Sequence, residues 1–382
     1  MRILWNELKK ILTWKILLLL AIVNSILYLL FIGFYIDYFP NGRPALDHYQ
    51  ISIEMLDKYG MDIDDEEFAD FKEIYAVEVK KVDAFLQTKS EYVDAGLGSY
   101  QDLNNSEAHD NNKKLDELRW NLYDEEIGDT LWGLQAREYF IEWIEDKEAS
   151  LDGWFDRPVT TKQQARMDEL KQAKQFPIFT GEVLTNYQDF IFYVAIAIII
   201  SIIIAISPIY IKDRSSLMLD MQYITKKGRN LYKVKVVAGI ISTFIVITAL
   251  FIIYLSIYSL NNTSMFFDLP MHKFIGSPSW YDPTFLQYIM LTVVGVYILG
   301  LITALFAMSF SSIVPNYISL IGIQIPYVFL IISLGLNYLV SRIISINLPA
   351  LLVPTTYGVL VVVSTLFMAV MWKREKRRDI IQ

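Results

Sequence analysis

Lys212 to Lys235, KDRSSLMLDMQYITKKGRNLYKVK, carries seven Lys/Arg against two Asp and lies between two long apolar runs. Each run is about twenty residues with almost no charge, the length a helix needs to cross roughly 30 Å of hydrocarbon. A charged connector held between two such spans must sit at one membrane surface. An excess of Lys/Arg over a short loop assigns it to the cytoplasmic side. The apolar runs therefore decide the fold, and the loop between them orients it.

Downstream of residues 212–235, a third span is expected over 236–260, and a polar loop at 261–287 returns the chain to the outside. Tyr288 to Ser341 contains no charged residue. One straight helix of that length would be about 80 Å long at 1.5 Å per residue, too long for a bilayer, so it must fold into two spans. The break is placed at SSIVPN, Ser311 to Asn316, which gives spans over 288–310 and 317–340. A short connector leads to a sixth span over 351–372, followed by a basic, cytoplasmic tail at 373–382.

Upstream, the second span is expected over 190–211 and the first over 16–35. The first span is longer than a signal-peptide core and no small-x-small cleavage site follows it, so it reads as a permanent anchor. Residues 1–15 place Ile3, Leu4, Leu8, Ile11 and Leu12 on one helical face, a pattern suited to a helix lying in the cytoplasmic interface with Trp5 and Trp14 as anchors. Both termini are then cytoplasmic. Pro208, Pro326 and Pro354 are expected at kinks or span edges.

Between spans 1 and 2, residues 36–188 form a polar, extracellular domain. It holds 34 acidic and 16 basic residues, a balance of −18 against −8 for the whole chain. Helices are expected at Glu66–Leu86, Asn112–Glu148 and Thr161–Lys174, separated by turn-rich pieces such as AGLGSYQDLNNSEAHDNN and DGWFDRP. Trp132, Trp143 and Trp154 recur every eleven residues and read as a packing stripe. Asp62, Asp64, Glu66, Asp70 and Glu73 fall on calcium-loop offsets, but Glu67 stands where the loop needs Gly, so a helix start favoured by the macrodipole is the better reading. The fold class that results is an all-α polytopic membrane protein. It has six transmembrane helices, an N-terminal interfacial helix and a large, mostly helical extracellular domain between helices 1 and 2.

The sequence offers no catalytic set. No Gly-Lys dipeptide occurs, so a phosphate-binding P-loop is absent. His48, His109 and His272 match no zinc pattern, there is no nucleophile elbow, and the absence of Cys excludes disulfides and thiolate metal sites. The basic segments flank spans, where membrane orientation explains them without nucleic acid. At membrane depth the most polar side chains are Asn24, Gln324 and Asn337. Ion-coupled carriers need buried ionisable groups, so these amides read first as interhelical hydrogen bonds and second as contacts on a substrate path.

The whole plan resembles the type-2 permeases of ATP-binding-cassette (ABC) exporters. The resemblance lies in NELKKIL before span 1, the large insertion between spans 1 and 2, the charged loop between spans 2 and 3, and the basic tail. In that family the loop opens with an acidic-basic element and closes with a Gly-Arg or Ser-Arg turn followed by a helix carrying Lys. Asp213 and Arg214 match the opening, Lys227, Gly228 and Arg229 the turn, and Lys235 the close. The chain lacks the family's usual Glu and following Gly, and Lys226 and Lys227 replace a common Pro. The resemblance implies a permease paired with itself or a sister chain in a bacterial plasma membrane, exporting an amphiphile, peptide, antibiotic or lipid.

It further implies docking on a separate ATP-binding subunit through Glu7, Lys9 and Lys10 on the N-terminal helix and through Asp213, Arg214, Tyr223, Lys226, Lys227, Gly228, Arg229 and Lys235. ATP and magnesium belong to that subunit, and this chain needs no cofactor. In the loop itself Leu217, Leu219, Met221, Tyr223 and Ile224 offer apolar surface for a partner's groove. The alternative is a membrane-anchored sensor or assembly factor whose acidic domain binds a ligand.

Overall fold

The computed structural model describes residues 2–106, 113–152, 159–215, 231–276 and 278–377. Among them the chain is helical, with no strand and two isolated bridges, Phe179 with Phe274 and Ser279 with Ser345. Among the described residues six helices are long and apolar enough to cross a membrane: Trp14–Ile32, Glu182–Ser215, Leu231–Asn261, Phe285–Ile313, Tyr317–Ser341 and Leu352–Glu375, here spans 1 to 6. The chain divides into two compact units. One comprises Met1–Phe39, Leu184–Asp268 and Ser279–Gln382, and the other Pro40–Val183 and Leu269–Pro278.

Within the first unit, local chemistry sets the helix ends. The Thr13 hydroxyl caps span 1 by accepting from Ile16 N at 3.4 Å. Thr284 and Gln287 form a capping box at the start of span 4. Span 4 stops at Ile313 because Pro315 pushes Val314 into extended backbone (ψ 146°), and Asn316 then caps span 5 by accepting from Ser319 N at 2.9 Å. Pro208 opens the last short helix of span 2, and Pro354 sits in the first turn of span 6, where a missing N–H costs nothing. Pro326 lies inside span 5, which shifts to π-helical register from Ile331 to Ser341.

Span 2 is the core of this unit. Of its apolar window 67% is buried, against 17%, 11% and 17% for spans 1, 5 and 6. The outer spans therefore leave side chains such as Leu29 and Ile318 for lipid or protein to cover. Gly300 makes one close crossing possible, since a Cβ there would stand 2.6 Å from Ile247 and 2.8 Å from Ile202.

The second unit packs its own core. Val82 and Leu86 on helix Asp65–Gln87 meet Leu118 and Leu122 on Lys113–Asp124 and Leu131 and Leu134 on Gly128–Glu145. Asp64 and Glu67 close a capping box, at 2.8 and 3.0 Å, at the start of the first of these. Asp62 pairs with Lys273 and Asp70 with Lys58, so these carboxylates serve a helix cap and ion pairs. The long helix expected over 112–148 is instead broken before Gly128, where a Cβ would run into the Tyr123 carbonyl, and again at Asp146. The turn-rich stretch also holds short helices, Ser90–Asp94 and Tyr100–Ser106, and Ala45–Tyr59 is a helix that periodicity did not mark.

Trp132 and Trp143 are half-buried on one helix, and the Trp143 indole donates to Pro177 O at 2.8 Å; Trp154 lies outside the described residues. A return segment completes this unit. The carbonyl of Lys273 accepts from Ile178 and Phe179 N, both at 3.0 Å, and Ile275 N donates to Phe179 O at 2.8 Å.

Candidate functional site

The charges singled out from the sequence gather where the N-terminal helix Arg2–Ile11 meets the ends of spans 2, 3 and 4. That helix packs against span 3 and turns Glu7 and Ile11 inward. Glu7 is 4% exposed and accepts from Lys10 Nζ at 2.7 Å. Lys10 also stands 3.6 Å from Asp213 Oδ1, while Asp213 Oδ2 takes Lys235 Nζ at 2.5 Å. Lys235 caps the Ile209 carbonyl at 3.5 Å, and Lys212 donates to Lys10 O at 3.4 Å. Two acids and two lysines thus form one chain of contacts linking three helices.

Partial burial of the Lys10 amine works against its charge. The hydrogen bond and attraction from Glu7, with the attraction of Asp213, outweigh that loss and raise its pKa above the ordinary value. A buried ion pair is held because removing either partner strands the other charge away from water.

Arg214 extends the cluster to span 4. Its guanidinium donates to the carbonyls of Val314 and Ser312, the latter at 2.9 Å. Those carbonyls belong to a helix end with no intrahelical donor, and a cation there complements the macrodipole. Tyr210, one turn earlier in span 2, donates its backbone N–H to Ser311 Oγ at 3.3 Å and stacks on Tyr232 at 5.0 Å, and the Lys235 ammonium lies 5.3 Å over its ring. Reasoning from the sequence missed Tyr210, Tyr232 and the serines. The one signal for them was the SSIVPN break, which leaves carbonyls in need of donors without saying which residue supplies them.

Of the remaining candidates, Lys9 is exposed and lies 5.4 Å over the Trp5 ring, away from the cluster. Tyr223, Lys226, Lys227, Gly228 and Arg229 lie outside the described residues. The segment that contains them starts and ends at the cluster, between Ser215 and Leu231.

The membrane-depth amides behave differently from one another. Asn24 donates to Leu20 O and to Ser201 Oγ, both at 2.8 Å, and accepts from Tyr254 OH at 2.9 Å, so one side chain ties spans 1, 2 and 3. Gln324 donates to Ser207 Oγ at 2.6 Å and joins span 5 to span 2. Asn337 is half-buried in the π-helical turn, where its backbone carbonyl accepts from Arg342 N at 2.9 Å. Asn24 also lines a cavity of about 670 Å³ between spans 1 and 3, whose walls are otherwise mostly Leu, Ile, Val and Ala.

No family model, curated protein or solved structure matches the chain.

Proposed function

We propose that the chain is the membrane-spanning permease subunit of an ABC transporter. It exports an amphiphile, peptide, antibiotic or lipid with ATP hydrolysed by a separate subunit. The observation that carries this reading is the cluster of buried Glu7, Asp213 and Lys235 with half-buried Lys10, and Arg214 clamped on the end of span 4. A loop whose two ends are tied by ion pairs to the N-terminal helix and to each other, and by Arg214 hydrogen bonds to span 4, is built to pass a push from a soluble partner into the membrane. In this role Asp213, Lys235, Glu7 and Lys10 act by holding the lever, and the loop residues 216–230 with Lys9 make the contact.

On the same reading the cluster faces the cytoplasm, the N-terminal helix lies in the interface, and the unit between spans 1 and 2 is extracellular in a bacterial plasma membrane. The apolar cavity beside Asn24 suits the hydrocarbon part of an amphiphile. A second permease, identical or sister, covers the exposed faces of the outer spans.

Cysteines introduced as Tyr223→Cys or Asn230→Cys provide the test. Cross-linking in the native membrane is expected to capture an ATP-binding subunit, and ATP hydrolysis is expected only where that subunit co-purifies. Capture of none, from either position, abandons the proposal.

A further inference from the structure

The second unit contains an open cleft of about 780 Å³, within the size range of small-molecule sites. Its lining is partly aromatic: Trp120 lies 5.9 Å from Tyr123, and Tyr123 lies 4.8 Å from Trp132. Asp116, Glu138 and Glu142 line it as well, together with Arg119, whose guanidinium stands 4.0 Å from Asp116. We propose that this cleft binds a small organic cation, an ammonium or guanidinium carried on an apolar body. The proposal is independent of the transporter reading.

Two features separate the cleft from ordinary packing. Helix Lys113–Asp124 sends Leu118 and Leu122 into the core of the unit, while Trp120 stays 66% exposed on the cleft side. A large indole left in water costs apolar surface that a core position would bury. Glu138 and Glu142 then stand at i and i+4 on helix Gly128–Glu145, a like-charge spacing that weakens a helix. Tyr100 OH at 2.9 Å and Asn104 Nδ2 at 3.1 Å, both neutral donors, answer Glu138. A cation entering the cleft would meet both carboxylates and the π-faces, which attract it by their quadrupoles.

The protein already uses this chemistry beside the cleft. The Arg43 guanidinium lies 5.8 Å over the Trp132 ring. The charge of the region, 34 acidic against 16 basic residues, would draw cations and repel anions at long range.

The test uses the full chain in a neutral maltoside detergent, labelled with 5-fluorotryptophan and read by fluorine NMR, with Trp120→Phe identifying the Trp120 resonance. Benzyltrimethylammonium chloride is expected to shift the Trp120 and Trp132 resonances saturably, with Trp5 unmoved. Sodium benzenesulfonate, an anion of similar size, is expected to shift none of them. Trp120→Leu, followed through Trp132, should weaken binding by about 3- to 30-fold. Glu142→Gln should weaken it by several-fold, and it replaces the Trp120 variant as the test should that variant fail to fold. No saturable shift, an equal response to the sulfonate, or unchanged affinity in the substituted chains overturns the proposal.

Discussion

Two lysine–carboxylate pairs in this protein have the same length and opposite meanings. Lys235 and Asp213 meet at 2.5 Å with their side chains 3% and 5% exposed, whereas Lys81 and Glu78 meet at 2.5 Å with theirs 60% and 26% exposed. The first pair sits among span ends, where water cannot take over the duty of a lost partner. The second sits on the surface of helix Asp65–Gln87, where water and salt replace it at once. Distance alone ranks the pairs as equals; desolvation separates them.

The largest effect is expected from Asp213→Ala, which strands Lys235 and removes a partner of Lys10. A loss of about 3–5 kcal/mol, read from thermal unfolding of the purified chain, follows from an uncompensated buried charge. Lys235→Met should cost less, because Asp213 keeps Lys10 at 3.6 Å. The double variant Asp213→Leu with Lys235→Met should recover much of the stability lost by Asp213→Ala. A single-variant loss no larger than that of a surface pair would break the comparison.

Next comes the uncharged equivalent in the same unit. Asn24→Leu removes three hydrogen bonds, two of which tie span 1 to spans 2 and 3, and should cost about 1–2 kcal/mol in the same assay. A smaller, pH-gated loss is expected in the second unit. His48 is half-buried and stacked on Tyr139 at 4.5 Å, and burial holds its pKa below the ordinary 6.5. A histidine kept neutral by the fold stabilises above the unfolded value. That contribution fades as pH falls from 6.5 through the lowered folded pKa, where the unfolded chain binds the extra proton. Melting followed between pH 7.5 and 5 should show the decline in the native chain and a flatter profile in His48→Phe. The smallest effect is Lys81→Met, within about 0.5 kcal/mol, since an exposed i,i+3 pair contributes no more. A loss comparable to that of Asp213→Ala would overturn the contrast from the other side.

Much of the helical plan was legible in the residues. Apolar runs point to the six long helices, and Pro315 with Asn316 places the one break that composition leaves open. The polar unit was less so. Helix Asp65–Gln87 announces itself through Asp64 and Glu67, but Gly128 breaks the next long helix only because the chain doubles back on Tyr123, a contact with no periodic signature. That Leu269–Pro278 belongs with Pro40–Val183 was hidden as well, because the bonds between Phe179 and Lys273 or Ile275 join segments far apart in the chain.

The candidate site divides in the same way. The family resemblance drew Asp213, Arg214, Lys235, Glu7 and Lys10 out of the sequence, but any of the nearby lysines could have answered Asp213. The fold chose Lys235, 22 residues away, and left Lys212 to reach the Lys10 carbonyl across 202 residues. What the sequence by itself determined is the set of helices able to cross a bilayer, because a backbone in hydrocarbon must satisfy its own hydrogen bonds and an apolar run of sufficient length does so alone. Which charges meet, which helix end receives Arg214 and which amide ties three spans were decided only by tertiary structure. Each of those depends on a partner distant in sequence whose worth comes from the water that packing removes.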